Sequence, residues 1–509
     1  MRKWLPLLAI CLGMLMLMVD GTIVIVALPV LADDLHASFT SLEWVIDAYA
    51  LTLAALLMTA GALADRFGRR RVYLIGLVTF AATSLCCALA PDGNALVAAR
   101  AVQGIGGAAM FATTMALLNA TYTGGRDRGI AFGVWGAVAG ASASAGPILG
   151  GLITEYLNWQ SIFLVNLPIC VIAVLLTRAV VAESRNPRPG RLDLPGMLTF
   201  TLAAASLTYA FTRAPDHGWA SPGTLALFAT AAAALVAFVV VESRRRSPML
   251  DLSLFRNRSF SALLATGLLM QAAAFGYLTY SSLWLQSALG YGPVRAGLTG
   301  SLALSAAGFV VSAVGGRFLH NVSPRLPVGL GVLVLGIGDL VEARLPATAT
   351  GLHLIPGLII AGIGMGLALP VLSSAIMGTA PHHRAGMASG ALNTFRQLGM
   401  ALGIAVLGAV FRAGLRSAVD SGGLAAALAA GRYRVLVAQH AVTESVARRA
   451  FTGALHDTLL VAAGIAVVAA GLTLGLVSRP RATENRLPRK ESEPMLVSPS
   501  RPETGSGQP

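Results

Sequence analysis

Asp20, Asp47 and Arg100 each fall inside an apolar run long enough to cross a lipid bilayer. A charged group is costly in hydrocarbon and normally faces a cavity or a partner. At about 1.5 Å per helical residue, Asp20 lies about two-thirds of the way across the first run. Arg100 enters the fourth run from its opposite end, so the two share a depth, with Asp47 nearby. Burial favours a neutral acid, whereas an adjacent arginine favours a carboxylate. That opposition suits a group that binds and releases a proton. The other reading is a permanent Asp20–Arg100 ion pair. Asp339 and Arg396 lie comparably deep in later runs, where each lines a cavity or pairs with the other. No Walker loop, metal-ligand cluster or nucleophile triad is visible, so no enzyme, metal or cofactor is expected.

The elements that position these groups are membrane spans. Of 509 residues, 55% are apolar and 12% charged, and the mean hydropathy is +0.72. A soluble domain is nearer a quarter charged. Apolar runs fall near 5–30, 44–63, 72–90, 95–119, 130–153, 161–180, 194–213, 223–241, 259–285, 295–315, 327–343, 350–377, 385–411 and 455–477. That predicts an all-α membrane protein with fourteen spans. The net charge of +14 sits mainly in arginines of short loops between runs. This is an orientation signal and excludes a nucleic-acid partner. Arg66, Arg69, Arg70 and Arg71 mark one such loop, and the loops on the other side near Asp33, Asp92 and Asp216 are poor in arginine. Both termini are therefore expected in the cytoplasm, with the chain in the plasma membrane. Cys11, Cys86, Cys87 and Cys170 lie in apolar runs and read as free thiols.

An internal repeat divides the chain. Residues 316–325 align with 61–70, pairing Gly61 with Gly316, Arg70 with Arg325 and Asp65 with His320. Gly104-Ile105-Gly106 recurs as Gly362-Ile363-Gly364. The expected organisation is a six-helix bundle over 1–181, two inserted spans with linkers over 182–258, and a second six-helix bundle over 259–478. A long outer loop is expected at 412–454. Its six arginines break the charge pattern, and its apolar middle suggests an amphipathic hairpin on the membrane surface. The Pro-, Ser- and Glu-rich tail over 479–509 is expected to be disordered.

Five stretches carry a family resemblance. The loop GALADRFGRRRVYL at 61–74, with Gly61, Asp65, Arg66, Gly68, Arg69 and Arg70, resembles the loop signature of the major facilitator superfamily. VDGTIVIVALP at 19–29 resembles the span 1 signature of its 14-helix drug:proton antiporter branch, with Ile25 where Asn is usual. Span 4 fits the family pattern through Arg100, Gln103, Gly104 and Gly106. GASASAGPILGG at 140–151, with Gly140, Gly146, Pro147, Gly150 and Gly151, resembles the antiporter motif. Residues 159–168 and 385–399 resemble the branch's span 6 and span 13 motifs, the latter through Asn393, Arg396 and Gln397. The resemblance implies the major facilitator fold, two six-helix bundles plus two inserted helices. It also implies that Asp65 and the nearby arginines clamp the two bundles together; a bare topology anchor is the other reading. The small residues of 140–151 let helices approach closely, and Pro147 removes one backbone hydrogen bond and bends its helix. They serve gating and bending or plain packing.

The resulting expectation is an antiporter that exchanges protons for an amphipathic small molecule, such as an antibiotic or secondary metabolite, and so confers resistance. The arginine-, alanine- and glycine-rich composition suggests a GC-rich, actinobacterial genome. The substrate cavity is expected to involve Gln103, Tyr277, Tyr280, Asp339, Asn393 and Arg396. The span 9 aromatics Phe275, Tyr277, Tyr280 and Trp284 either stack on planar cargo or serve packing and lipid contact, with Trp284 and Gln286 at the interface. His353 and His456, near span ends, are expected to be solvated. The competing readings are a narrow exporter or symporter of a polar solute (an amino acid or siderophore) and a non-transporting membrane receptor.

Overall fold

The computed structural model describes residues 2–122, 125–185, 193–245, 248–318, 323–346, 348–380, 385–419, 421–429, 433–439 and 441–478. The tail over 479–509 and the loop arginine Arg384 lie outside the described residues. Fourteen long helical segments follow one another. The first seven are α1 (Leu5–Asp34), α2 (Phe39–Phe67), α3 (Arg69–Ala88), α4 (Gly93–Thr121), α5 (Gly125–Tyr156), α6 (Ser161–Val180) and α7 (Leu194–His217). Then come α8 (Pro222–Arg244), α9 (Arg258–Ala288), α10 (293–318), α11 (Arg325–Ala343), α12 (Ile355–Gly378), α13 (Ala385–Ala418) and α14 (Glu444–Leu476). Thirteen are long and apolar enough to cross a membrane. The remaining one, α5, has 32 residues and occupies the fifth expected position.

Short polar residues between apolar runs start the helices. Ser38 accepts a hydrogen bond from the Ser41 amide at 3.1 Å, and Asp92 one from Ala95 at 2.8 Å. Each satisfies an amide that the first helical turn leaves unpaired. Side chains such as Ile75 and Val78 on α3, Leu198 on α7 and Val236 on α8 point outward. They form the apolar exterior a bilayer requires. The first half of the chain encloses two buried apolar clusters and the second half encloses a larger one. Of the inserted pair, α7 packs on both α2 and α13, and α8 packs chiefly on α7.

One expectation fails here. The stretch over 412–454 is not a long loop: α13 runs on to Ala418 and α14 begins at Glu444. Arg412, Arg416, Arg448 and Arg449 are therefore helical. Two short helices, Gly422–Ala429 and Tyr433–Ala438, join the spans, and Leu428, Ala429 and Tyr433 enter the second half's apolar core. The helices continue because the arginines find acceptors within the protein. Arg412 donates to the Thr212 carbonyl at 3.0 Å, Arg416 to that of Pro215 and Arg448 to that of Ala349 at 2.8 Å.

Candidate functional site

Asp20 is fully buried on α1 and binds directly to α4 and α6. Arg100 on α4 donates to its Oδ2 at 2.5 Å, Gln103 on α4 to its Oδ1 at 3.2 Å, and Asn166 on α6 to Oδ1 at 2.8 Å. Ser84 on α3 accepts from Gln103 at 2.8 Å and from Asn166 at 3.2 Å. Arg100 donates to the Val45 carbonyl at 3.0 Å and to Gln103 Oε1 at 2.7 Å, and its guanidinium lies 4.2 Å from the Tyr49 ring centre. Every contact to Asp20 is a donor, the set an acceptor-only carboxylate fills. The expected meeting of Asp20 and Arg100 is thus present. Ser84 was not legible in the sequence, and Asn166 was visible only as one letter of a motif. Gln103 belongs to this cluster and does not line the cavity. Asp47 is also fully buried, yet it sits one turn from Glu43, outside the Asp20 cluster. Neither of its carboxyl oxygens has a hydrogen-bond partner among the described residues.

A cavity of about 720 Å³ opens between the two halves of the molecule. Its wall is mostly apolar, with Met14, Phe111, Trp135, Phe275, Phe309 and Met365 among its residues. The lining residues of α4, α12 and α13 lie mostly in the halves of those helices on the side of the 66–71 loop, here called the arginine-rich end, while those of α1 and α10 run through the middle of the molecule. Asn393 and Arg396 line it as expected. Arg396 reaches Gln271 and Asn393 at 3.4 Å each, and it pairs with no carboxylate among the described residues. Among the described residues, no Asp or Glu lines the cavity. Tyr49 and Thr22 do, which places the cavity wall against the Asp20 cluster.

Besides Gln103, three more expected cavity residues lie elsewhere. Tyr277 is fully buried and donates to Glu342 at 3.1 Å; Tyr280 is fully buried and bonds Glu43 at 3.0 Å and the Ile404 carbonyl at 2.6 Å. Asp339 is fully buried on α11 and does not reach Arg396 or the cavity. Trp284 is not interfacial but buried, donating to Thr452 at 3.1 Å. Of the span 9 aromatics only Phe275 meets the cavity. The stripe was read by its rings, but the polar tips of Tyr and Trp chose its partners. His353 is exposed, whereas His456 is half-buried with Nδ1 2.6 Å from the Ala343 carbonyl oxygen.

Among the described residues, the arginine loop makes no ion pair or hydrogen bond to the second half of the chain. Asp65 pairs with Arg69, one turn away, at 2.8 Å. The amides of Arg70 and Arg71 donate to the Glu183 carboxylate at 3.0 and 3.2 Å, and the Arg69 amide to the Ser184 carbonyl at 2.8 Å. Glu183 thereby caps the positive end of α3. Gly68 has φ +112°, a conformation glycine adopts without strain, and the Glu183 carboxylate occupies the space a side chain would need. Arg66 is exposed over the Phe67 ring, and a side chain at Gly61 would meet nothing within 4 Å. In the glycine motif, Gly146 faces Thr22 and Gly150 faces the Ile23 carbonyl, both on α1. A Cβ on Gly151 would lie 2.6 Å from the Pro293 carbonyl on α10, and Gly297 of α10 abuts the carbonyl of Pro147. Gly140 lies on α5, and its surroundings fall outside the described residues.

The end of the molecule opposite the arginine loop is closed by contacts the sequence did not announce. Glu43 of α2 pairs with Arg412 of α13 at 3.0 Å, and their side chains are 1% and 4% exposed. Gln286 of α9 donates to the Val26 carbonyl of α1 at 2.9 Å, and Val294 of α10 to Glu155 of α5 at 2.9 Å. Each joins the first half of the chain to the second.

The comparisons with known proteins agree with this architecture. A Major Facilitator Superfamily model matches residues 10–404. The multidrug resistance protein Stp of Mycobacterium tuberculosis (strain CDC 1551 / Oshkosh) is 38% identical over 416 residues, covering 82% of this chain and 77% of that one. The puromycin resistance protein pur8 of Streptomyces alboniger is 36% identical, covering 80% and 82%. The multidrug efflux pump LfrA of Mycolicibacterium smegmatis (strain ATCC 700084 / mc(2)155) is 32% identical, covering 94% and 97%. Among solved structures, the bacterial homologue of the human lysosomal transporter Spinster, inward-facing and unoccupied, superposes with a TM-score of 0.66 at 16% identity, over 93% and 96% of the two chains. With two helical halves around a central cavity and relatives matched along most of its length, the chain is a multi-pass membrane transporter that belongs to the Major Facilitator Superfamily.

Proposed function

We propose that this transporter is a proton-coupled antiporter that exports neutral or singly charged amphipathic small molecules, antibiotics or secondary metabolites among them. It does so across the plasma membrane, with both termini in the cytoplasm. One observation carries the reading: Tyr49 lines the apolar cavity with one edge and covers the Arg100 guanidinium of the Asp20 cluster with its face. Cargo that displaces Tyr49 disturbs the groups that hold Asp20, and protonation of Asp20 loosens Arg100 behind Tyr49. The two events are then coupled through one ring, as alternating access with exchange requires. The names of the relatives, resistance proteins and efflux pumps, support export as the direction. Domains 1–181 and 259–478 are the two moving bundles, and 182–258 supplies the inserted pair α7 and α8.

The test uses inverted membrane vesicles and a panel containing puromycin, a monocationic dye and a dicationic dye. Vesicles with the wild-type protein should accumulate the neutral or singly charged members only while a proton gradient is present. Asp20→Asn, inserted to the same level, should abolish that accumulation. Equal accumulation after the gradient is collapsed would overturn the antiport reading. Strong transport of the dication alone would overturn the cargo assignment.

A further inference from the structure

The second half of the molecule contains a buried acidic pair that the mechanism above leaves unused. Asp339 and Glu342 stand three residues apart on α11, both with 0% exposure. The Tyr277 hydroxyl donates to Glu342 Oε1 at 3.1 Å. Both oxygens of Asp339, and Oε2 of Glu342, have no hydrogen-bond partner among the described residues. No described cation pairs with either acid. From α9 the facing titratable group is Tyr277. From α14 it is His456, whose ring nitrogen meets the carbonyl of Ala343 beside Glu342, while Asp457 is exposed. Arg344 follows in the chain and is exposed. The residues of α12 that pack here are Gly357, Leu358 and Ala361, with Gly357 against the Glu342 side chain.

The internal repeat says what this place corresponds to. The offset of 255 positions that pairs Gly61 with Gly316 also pairs Gly76 with Gly331 and Ser84 with Asp339. The packing agrees: Gly76 abuts the Gly106 carbonyl and Gly331 that of Gly364. Asp339 therefore stands where Ser84 stands in the Asp20 cluster. The offset that pairs Gly104 with Gly362 puts Leu358 in the place of Arg100. One half of the molecule holds a carboxylate with an arginine; the other holds two carboxyl groups with no arginine. Two buried carboxylates without a counter-charge cannot both remain ionised. A proton held there for structure alone would be donated to a carbonyl, as buried hydroxyls are. Asp339 makes no such bond among the described residues, so no hydrogen bond locks its proton in place.

We infer that the Asp339–Glu342 pair, with Tyr277, is a second proton-binding site, loaded in the conformation seen here and unloaded when the helices around α11 rearrange. It rests on the antiport reading and adds to it: each cycle exchanges the Asp20 proton and one more. The first test needs no cargo. Infrared difference spectroscopy of the purified protein, titrated with pH, should show a protonated-carboxyl C=O stretch at neutral pH. One component of the stretch should be lost in Asp339→Asn/Glu342→Gln and kept in both Asp20→Asn and Asp47→Asn. The second test reconstitutes the protein with whichever panel compound the wild type transports. The double variant should exchange one proton fewer per molecule, lowering accumulation by about tenfold per unit of pH difference. Asp339→Asn alone has no hydrogen bond to lose and serves if the double variant does not insert. Wild-type transport indifferent to the gradient overturns the antiport reading itself. A wild-type spectrum without the stretch, or gradient-driven transport with unchanged stoichiometry in the variant, overturns the second site alone.

Discussion

Arg100 is fully buried and Arg396 half-buried in the cavity wall, and their surroundings give them opposite roles. Arg100 is held by Asp20, Gln103 and the Val45 carbonyl. Removing Asp20 as Asp20→Ala leaves that charge uncompensated, a cost of about 3–5 kcal/mol. Asp20→Asn keeps the volume and one acceptor. Thermal unfolding in detergent should therefore separate the two variants, with alanine melting well below asparagine although both lose gradient-driven transport. Equal melting would mean that Asp20 does little to hold Arg100. Arg396 instead meets only amide oxygens at 3.4 Å and projects its charge into the cavity. Arg396→Gln should shift preference toward the monocation over the neutral compound by about tenfold, equivalent to ~1.4 kcal/mol. An unchanged ratio in the resistance panel would show that the guanidinium does not set cargo charge.

At the scale of helices, the arginine loop acts on α3 before it acts between bundles. Glu183 receives two amides at the start of α3, and its carboxylate fills the space beside Gly68. Loss of such a cap costs about 1 kcal/mol. Glu183→Ala should speed hydrogen exchange at the first turn of α3 and leave that at α4 unchanged. Exchange unaltered at Arg70 and Arg71 would show that the Ser184 contact suffices. The Asp65–Arg69 pair is partly exposed, so Asp65→Asn is expected to leave folding intact. The glycine motif works by contact between elements: Gly146 and Gly150 bring α5 onto α1, and Gly151 brings it onto α10 across the two halves. These contacts bring the helices into close packing across the two halves, which both gating and plain packing require.

The whole molecule is closed at the end where Glu43 meets Arg412 and open toward the arginine-rich end. The pair spans the two halves, and α7 joins it through the Thr212 carbonyl. An equilibrium between two access states responds to any change that favours one of them. Glu43→Gln weakens the closed end. A cysteine placed at Val26 in a cysteine-free background should then be labelled from the far side about tenfold faster than with Glu43 intact, for a shift of ~1.4 kcal/mol. Labelling at the original rate would mean that Gln286 and Glu155 hold that end without the ion pair.

Hydropathy and charge spacing were enough to determine the membrane location and the succession of spans, and the motifs at 61–74, 140–151 and 385–399 pointed to the family. Those properties are one-dimensional: a bilayer demands about twenty apolar residues per crossing and sorts arginine by side. The depth argument also placed Asp20 beside Arg100, because helical rise converts position into height. It could not assign direction around the helix axis. So Tyr277, Tyr280 and Gln103 were expected in the cavity, although each points to a buried carboxyl group. Nor could it find partners hundreds of positions apart. Arg412 looked like a loop residue until the fold set Glu43 3.0 Å away, and an arginine that ends a span in water continues one beside a buried acid. Asp339 had depth but no motif; only the fold, which buries it one turn from Glu342 and sets Tyr277 and Gly357 against Glu342, reveals an acidic pair where the other half of the protein carries Ser84. Side-chain direction and long-range pairing are properties of tertiary packing, and there the sequence alone ran out.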